Sequence, residues 1–356
     1  MPGSSDNRLT RRFVERAAAR ALRAARSGYE LQPRWRPLGL ARHKRSLDTA
    51  RSSDQAAPVT SLLASRLSGA DISNIKDAIS RAPELAGQFA AAGGTPSEQR
   101  LLLAFGIWLG IDAVCEKTGL RPLQPPAEVH AMARGPLAAA GGLYEADMVA
   151  QTLADAGIAL ADLDAVLDFG CSSGRVLSVL AAAYPQVRLS GCDPNSGAIA
   201  WASEHLPAAS FFVSPQHPPL DLPDSSLDLV YAISIWSHFA PALGLSWLEE
   251  MHRLLRPGGL LLLTTHGLTS LHHYLASGER LPTQVEEIMA DLYRHGAWYT
   301  YEFGEHGDWG VKDPEWGTAF LTAEWLLAHL CPRFHVLAFL PGRNQGNQDV
   351  YLLRRS

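Results

Sequence analysis

The fold of this chain is indicated most clearly by residues 166–175, which read Val-Leu-Asp-Phe-Gly-Cys-Ser-Ser-Gly-Arg. An apolar strand ends here and a helix begins, which is where an open α/β sheet binds its ligand. Gly170 and Gly174 let the backbone approach a ligand closely, because they have no Cβ atom. A dinucleotide-binding fingerprint needs glycine at 172 and 175, but this chain has Ser172 and Arg175. A phosphate-binding loop needs lysine after Gly174, and here Arg175 follows. The sequence therefore predicts a ligand without a pyrophosphate group.

The next predicted strand ends in the sequence Gly-Cys-Asp at residues 191–193. An acid at the tip of this strand, about 20 residues beyond the glycine-rich turn, is placed to accept hydrogen bonds from both hydroxyls of a ribose. Because no phosphate-binding motif lies nearby, Asp193 indicates a nucleoside ligand.

From about residue 164 onward, short apolar strands alternate with helices. We predict strands at 165–169, 187–192, 210–213, 227–233 and 260–265, and helices at 174–184, 196–205 and 242–255. This pattern is typical of a parallel sheet with helices on both faces. Two last strands, 334–340 and 349–353, are connected too closely for a parallel crossover, so we expect an antiparallel pair at one edge. The fold class is therefore α/β: a doubly wound, Rossmann-like sheet, mostly parallel with an antiparallel final strand, preceded by a helical N-terminal region.

Four motifs in this order resemble those of the class I S-adenosylmethionine-dependent methyltransferases. They are residues 168–174, Asp193, residues 227–234 and the turn Leu-Leu-Arg-Pro-Gly-Gly at 254–259. The turn is typical of the small-molecule branch. The strand Gln-Asp-Val at 348–350 is similar to that of methyltransferases associated with glycosyltransferases and natural-product pathways. The resemblance covers roughly residues 144–356 and implies S-adenosyl-L-methionine as the cofactor.

The resemblance also implies roles for individual residues. Those expected around the methionine part of the cofactor are Asp168, Gly170, Cys171, Gly174, Ile233 and Ser234, with Tyr144 closing over the cofactor. Asp193 would hold the ribose, and Ser214 and Gln216 would flank the adenine. Many relatives carry an acid in this last loop, whereas this chain has none before Asp221. Gln216 or a backbone carbonyl would then take its place.

Methyl transfer is an in-line displacement at an activated carbon, so the main tasks are to align the nucleophile and to exclude water. A hydroxyl nucleophile also benefits from a base, which contributes about 10²–10⁴-fold. We identify His238, just beyond the fourth strand, as the first candidate and His266, at the end of the fifth, as the second. Cys171 and Cys192 have no base paired with them by motif, and we interpret both as small packing residues.

The chain has 356 residues, more than one domain needs. We predict a basic helical arm and linker at 1–58, a helical N-terminal domain at 59–143 and a methyltransferase domain at 144–356, with an aromatic-rich substrate roof at 267–320. Within these parts we expect helices at 8–27, from Ser97 to Lys117 and from Tyr144 to Ala156, and a loop marked by Gly135, Gly141 and Gly142.

Charge and composition limit the partners. Residues 1–55 hold 13 Arg and Lys against 5 Asp and Glu, whereas the remainder holds 18 against 31. The acidic body argues against a nucleic-acid partner, as does Ser-Ile-Trp-Ser at 234–237 in place of the Asn/Asp-Pro-Pro-Tyr loop usual for exocyclic-amine methylation. The apolar segment 101–111 is too short for a membrane span. Four cysteines without CxxC spacing predict no metal site and a cytoplasmic location. A homo-oligomer formed through the N-terminal helical region stays open.

The resulting hypothesis is O-methylation of a sugar or a hydroxylated natural product by S-adenosylmethionine. Two alternatives remain. One is an N- or S-methyltransferase that acts on a small metabolite. The other is a non-catalytic, cofactor-binding scaffold protein, because an intact cofactor motif indicates binding and does not by itself indicate transfer.

Overall fold

The computed structural model describes residues 56–130, 133–303, 307–308, 311–330 and 332–356. The expected basic arm at 1–58, with its helix at 8–27, therefore lies outside the described residues except for its last three positions. Among the helices that are described, none has both the length and the apolar character needed to cross a membrane.

The first six helices of the described residues precede the sheet region. They are α1 (Pro58–Ala64), α2 (Gly69–Ser80), α3 (Pro83–Ala91), α4 (Pro96–Trp108), α5 (Asp112–Thr118) and α6 (Ala127–His130). Proline begins α1, α3 and α4, where its fixed φ suits a helix and its missing N–H is not needed. The single helix expected from Ser97 to Lys117 is wrong. The chain turns at Gly110, whose φ of 68° only glycine adopts readily, and this separates α4 from α5.

Nine strands form two sheets. They are β1 (Ala165–Phe169), β2 (Arg188–Asp193), β3 (Ser210–Val213), β4 (Leu227–Ala232), β5 (Leu255–Thr265), β6 (Ala297–Thr300), β7 (Thr318–Leu321), β8 (Phe334–Asn344) and β9 (Gln348–Arg355). The main sheet has the order β3-β2-β1-β4-β5-β9-β8, and β6 pairs with β7 separately. Strands β1 to β5 are parallel, whereas β9 runs antiparallel to both β5 and β8. The predicted fold class, including its antiparallel final pair at the edge, is confirmed.

Seven more helices pack around the sheets. They are α7 (Ala138–Asp155), α8 (Arg175–Ala183), α9 (Ser196–His205), α10 (Pro241–Leu254), α11 (Leu268–Ser277), α12 (Pro282–His295) and α13 (Ala323–Leu330). Helices α10 and α13 pack on one face of the main sheet. Apolar side chains of α1 to α5, α7 and α8 form one continuous core on the other face. The predicted division between residues 143 and 144 falls inside α7 and stays a prediction.

Helix α7 begins at Ala138, six residues before the expected Tyr144, and the glycine loop expected there is wrong in part. Gly141 and Gly142 lie inside the helix, where they allow a close approach to α8. A Cβ at Gly142 would lie 3.0 Å from the carbonyl oxygen of Arg175, and one at Gly141 would lie 2.6 Å from the Arg175 guanidinium. The pair therefore reflects helix packing, not a turn, and it brings α7 to the glycine-rich segment.

Candidate active site

A cavity of about 750 Å³ lies at the carboxyl ends of β1 and β4. The strand order reverses here, since β1 is bonded to β2 on one side and to β4 on the other, and open α/β sheets bind ligands at such a point. The volume falls within the roughly 300–1,000 Å³ of small-molecule sites. The sequence-predicted residues that line the cavity are Asp168, Gly170, Cys171, Asp193, Ser214, Gln216, Ile233, Ser234, His238 and His266. Tyr144 and Gly174 are not among the lining residues.

The two glycines of the predicted motif shape the cavity in different ways. Gly170 has a φ of 84° and lines it, and a Cβ at this position would collide with the side chain of Ile235. Gly174 has a φ of 76° and is the residue immediately before α8. A Cβ there would lie 2.7 Å from Leu206 and 3.1 Å from Phe211. Gly170 thus lets the Ile235 side chain pack against the backbone at the cavity wall, and Gly174 lets the loop pack on Leu206 and Phe211.

Asp193 joins the end of β2 to the glycine-rich loop. Its Oδ2 accepts a hydrogen bond of 2.8 Å from the Ser172 backbone N–H, and its Oδ1 accepts one of 2.8 Å from the Asn195 N–H. Burial raises the pKa of the carboxyl group, and the two backbone donors partly offset this rise. The carboxylate is thereby fixed in orientation at the edge of the cavity, where an acid that binds a ribose is expected.

Asp168 lies at the end of β1, beside Tyr231 of β4. The Tyr231 hydroxyl donates a hydrogen bond of 2.9 Å to Asp168 Oδ2. Burial raises the pKa of Asp168 to about 8, and the hydrogen bond from Tyr231 partly offsets the rise. Burial thus disfavours the charged form of this carboxyl group, and a cationic ligand group beside it would favour its ionised form.

Cys171 and Cys192 fit the interpretation as packing residues. Both thiols are buried, and burial raises the pKa of each well above its ordinary value. A thiol with a raised pKa is a poor nucleophile at neutral pH.

Tyr144 does not close over the cavity as the resemblance implies. Its hydroxyl donates a hydrogen bond of 3.0 Å to the Arg343 carbonyl and accepts one of 2.8 Å from the Gln345 N–H. It therefore holds the connection between β8 and β9. The next residue, Glu145, lines the cavity instead, because successive helical residues point about 100° apart.

Three residues that the sequence analysis missed line the cavity near the glycine-rich loop. Glu145 and Arg175 form an ion pair of 2.8 Å, and both line the cavity. His130 Nδ1 lies 2.8 Å from Ser173 Oγ and 3.0 Å from Ser172 Oγ. Burial lowers the pKa of His130 to about 4, so its ring is neutral. Helix periodicity could have identified Glu145, whereas no sequence signal connects His130 of the N-terminal helices with this loop.

His238 lies just beyond β4 with its ring fixed on two sides. Its Nδ1–H donates a hydrogen bond of 2.7 Å to the Gly317 carbonyl, and the ring stacks on Trp316 with 4.7 Å between centroids. This hydrogen bond assigns the proton to Nδ1 and leaves the lone pair on Nε2. Burial lowers the pKa, and the Gly317 carbonyl and the carboxylates of Asp308 and Glu302 partly offset this. Within the described part of the chain, Nε2 has no hydrogen-bond partner.

His266 also lines the cavity, but its Nε2 is engaged. Nε2 lies 3.2 Å from the Tyr274 hydroxyl and 3.3 Å from Gln348 Nε2. The Gln348 amide is oriented by Thr264, whose hydroxyl donates 2.7 Å to Oε1, so Gln348 Nε2 donates to Ser234 Oγ at 2.8 Å and faces His266.

Burial lowers the pKa of His266 to about 3. We therefore correct the expectation of a second base: the His266 lone pair already accepts hydrogen bonds from protein groups. In the sequence, Gln348 belongs to the motif at 348–350, which indicated only a subgroup of methyltransferases. Its contacts with Ser234 and His266 depend on the folded pair of strands β8 and β9.

The segment 267–320, which we predict to be the substrate roof, contributes several residues to the lining of the cavity. Helices α11 and α12 form a small core of their own with Phe320. Of the roof aromatics in the described residues, Tyr274, Phe303 and Trp316 line the cavity. Trp309, another aromatic residue of this segment, lies outside the described residues.

Across the described residues, His217, Asp313 and Glu315 are the group of side chains whose geometry could hold a metal ion, with ligand atoms within 4.8 Å of one another. His217 Nε2 and Asp313 Oδ2 are 2.6 Å apart and form a direct hydrogen bond. This contact joins the loop after β3 to the roof. The expectation that the protein binds no metal stays a prediction.

Residues 167–261 match a family model described as a methyltransferase domain. The match runs from β1 to β5 and includes the glycine-rich turn, Asp193 and the Arg-Pro-Gly-Gly turn. This part of the chain is therefore a methyltransferase domain, as the motifs indicated.

Solved structures of similar proteins include an S-adenosylmethionine-dependent methyltransferase from Methanosarcina mazei. It is 22% identical, with 54% of this chain and 92% of that chain covered and a TM-score of 0.39. Another is CalS10, an amino pentose methyltransferase from Micromonospora echinaspora, which is 16% identical, with 60% and 90% covered and a TM-score of 0.40. The assignment of the domain here rests on the family match together with the sheet order and the cavity.

Proposed function

We propose that this chain, which carries an S-adenosylmethionine-dependent methyltransferase domain, methylates a hydroxyl oxygen of a small molecule. The observation that carries this proposal is a single cavity with two chemically distinct ends. One end holds Asp168, Asp193 and the glycine-rich loop. The other holds His238 under the aromatic roof. A cofactor and an acceptor can therefore meet inside one cavity, as in-line transfer requires.

The residues at the first end fit S-adenosylmethionine. The Gly170 backbone lines the cavity, and Asp193 presents a fixed carboxylate suited to the ribose hydroxyls. Asp168 and Cys171 would lie at the methionine part, and Ser214 and Gln216 at the adenine. When bound, this cofactor supplies a methyl group activated by a positively charged sulfur.

His238 would act as the base for the acceptor hydroxyl. The hydrogen bond from Nδ1–H to the Gly317 carbonyl holds the lone pair of Nε2 toward the cavity, and the lowered pKa keeps the ring neutral at pH 7. Nε2 can therefore take the hydroxyl proton as the new O–CH₃ bond forms. The ring cannot rotate away without losing both this hydrogen bond and its stacking on Trp316.

The protein would also orient the reacting groups and exclude water from the cavity. Gln348 fixes Ser234 and His266 beneath the expected methyl position. Phe303 and Trp316 of the predicted roof line the cavity. Neutral, hydrogen-bonded imidazoles and aromatic rings exclude water without adding a competing nucleophile, which suits a reactive methyl donor.

The experiment is isothermal titration with S-adenosylmethionine and S-adenosylhomocysteine, followed by a mass-based methyl-transfer screen with hydroxylated small molecules. We expect binding of both cofactor forms and a gain of one methyl group on an acceptor. Failure of the folded protein to bind either form would overturn the proposal. Binding without transfer to any hydroxyl, amine or thiol would favour the cofactor-binding scaffold. Transfer only to amines or thiols would favour the N- or S-methyltransferase.

A cytoplasmic location and a homo-oligomer through the N-terminal helices remain part of this proposal. Cys115, Cys171 and Cys192 are unpaired, and free cysteines are typical of reducing compartments. Trp108 at the end of α4 is 45% exposed and would be covered in such an oligomer.

A further inference from the structure

We propose that the acceptor carries a protonated amino group, which the carboxylate of Asp308 binds beside the aromatic rings of Trp316 and Phe303. This inference rests on the proposed function and specifies the substrate class of the same site. In this arrangement the positively charged group of the acceptor binds at the roof, and the hydroxyl group that is methylated lies at His238.

The charges that line the cavity are unevenly distributed. At the cofactor end, Arg175 is paired with Glu145, and Arg134 also lines the wall. From Ser234 onward, the lining residues that the structure describes include Asp308 and Asp313 but no lysine or arginine. Proteins usually bind phosphate and carboxylate groups with arginine or lysine. The acceptor end is therefore unsuited to an anionic compound such as a nucleotide-linked sugar.

Among the carboxylates that the structure describes at this end, Asp308 is the one available to a ligand. Asp313 is engaged by His217 at 2.6 Å, and Glu302, nearby in the roof, pairs with Arg280. Asp308 Oδ2 accepts a hydrogen bond of 3.1 Å from the Trp316 indole. In the described part of the chain, no basic side chain is paired with Asp308 and no donor reaches its Oδ1.

Asp308 is also held firmly in place. Its backbone N–H donates a hydrogen bond of 2.9 Å to the Val311 carbonyl. Its carbonyl accepts a hydrogen bond of 2.8 Å from the Val311 N–H. With the indole contact, these two bonds fix both the backbone and the carboxylate. A fixed carboxylate that lines a cavity is a preorganised partner for a cation, since little ordering remains to be done on binding.

The surroundings of Asp308 suit an ammonium group for a second reason. Trp316 stacks on His238 at 4.7 Å, and Phe303 lies 6.1 Å from the same imidazole on another side. Aromatic faces attract cations through their negative π surfaces. Carboxylate, indole and phenyl ring thus surround one part of the cavity beside the base. An amine and a hydroxyl of one small molecule can occupy the two positions together.

The sequence of the roof agrees with this reading. Residues 299–317 contain five acids, at positions 302, 305, 308, 313 and 315, against the single lysine Lys312. Lys312 is exposed and does not line the cavity. The negative potential of this segment would attract a cationic acceptor and disfavour entry of a phosphorylated one.

The test uses three ring compounds that differ only in the polar group: benzylamine, benzyl alcohol and benzyl phosphate. Each is titrated into the full-length protein saturated with S-adenosylhomocysteine, at pH 7, and binding is measured by calorimetry. We expect benzylamine to bind about tenfold more tightly than either other probe, as one charge-assisted contact provides. We expect Asp308→Asn to lose this preference, while its amide oxygen still accepts the Trp316 hydrogen bond.

The control is Glu287→Gln, which removes one negative charge from an exposed position of roof helix α12. It should keep the preference for benzylamine. The inference is overturned if benzyl phosphate binds as tightly as benzylamine, or if Asp308→Asn and the native protein show the same order of affinities. Failure of S-adenosylhomocysteine to bind would instead overturn the proposed function itself.

Discussion

The imidazole of His238 lies on the indole of Trp316, with 4.7 Å between the ring centroids and 27° between the ring planes. The Nδ1–H of the same imidazole donates 2.7 Å to the carbonyl of Gly317, the next residue in the chain. One short roof segment therefore fixes both the face and the edge of the ring. This leaves Nε2 as the free position of the imidazole and connects the roof directly to the proposed proton transfer.

The first prediction concerns His238→Asn. The asparagine amide can still donate to the Gly317 carbonyl, but it cannot accept a proton. We expect kcat to fall at least about tenfold, the low end for the loss of a base, with the Kd for S-adenosylmethionine unchanged. Because burial lowers the imidazole pKa from 6.5, the acid limb of the native pH–rate profile should lie below pH 6.5 and should disappear in the variant.

The control for His238 is His329→Asn. His329 makes a similar contact from Nδ1 to a carbonyl, 2.7 Å from the oxygen of Trp325, but on an exposed helix face. Its replacement should leave kcat unchanged. A native value of kcat in His238→Asn would remove His238 from the proton path.

The second prediction concerns Asp193→Ala. The carboxylate accepts hydrogen bonds from the backbone of Ser172 and Asn195 and would also bind the ribose. Hydrogen bonds to a charged group contribute about 1.5–3 kcal/mol, so we expect cofactor affinity to fall about 10- to 100-fold in calorimetry. Asp221→Ala, which removes an exposed acid from the loop after β3, should bind the cofactor normally. Equal affinities in the two variants would contradict the role given to Asp193.

The sequence predicted the sheet well because its signals are local. Each parallel strand is a short apolar run, and the acid at Asp193 follows the glycine-rich turn at the spacing that a ribose site needs. Gly141 and Gly142 show the limit of such signals. In the sequence, these two glycines predict a turn. Only the packed helices show that the Arg175 side chain and carbonyl occupy the space that side chains at the two positions would need.

The site was predictable where one strand end determined the position of a residue, as for Asp168 and His238. It was not predictable where distant segments meet. His130 reaches the serines of the loop from a helix more than 40 positions earlier in the chain. The roles of His266 and Tyr144 depended on partners in the last strand pair, namely Gln348 and Gln345.

The third prediction tests Tyr144→Phe. The change removes two hydrogen bonds, one to the part-buried Arg343 carbonyl and one from the exposed Gln345 N–H. We expect the free energy of unfolding to fall by about 1–2 kcal/mol. Since Gln345 lines the cavity, the KM for the acceptor should rise while the Kd for the cofactor stays unchanged.

The control for this change is Tyr293→Phe, at a residue that is 41% exposed on α12. It should be neutral in stability and in KM. A weakened cofactor affinity in Tyr144→Phe, with native stability, would restore the expectation that Tyr144 covers the cofactor.

The fourth prediction concerns the pH dependence of stability and Asp349, which lies at the start of β9. Burial raises its pKa from 3.8 to about 7, and hydrogen bonds from Thr269 and from the Gly342 N–H partly offset this. Between these two pH values the folded protein keeps a proton that the unfolded chain has released. The stabilisation is therefore fully present below pH 3.8 and is lost as the pH rises through about 7. Asp168 acts in the same direction, whereas the lowered pKa values of His130 and His266 act in the opposite one.

The difference between the native protein and Asp349→Asn isolates the contribution of this one group. Asparagine is neutral at every pH and still offers an oxygen to the Gly342 N–H. As the pH rises from 5 to 8, the free energy of unfolding of the variant should therefore gain on that of the native protein, by up to about 1.4 kcal/mol per pH unit below pH 7. Urea unfolding at intervals across this range measures the difference, with Asp221→Asn as an exposed control that should show no such trend. A constant difference between native protein and Asp349→Asn would mean that the Asp349 carboxyl is ionised throughout, and that the buried end of β9 tolerates its charge.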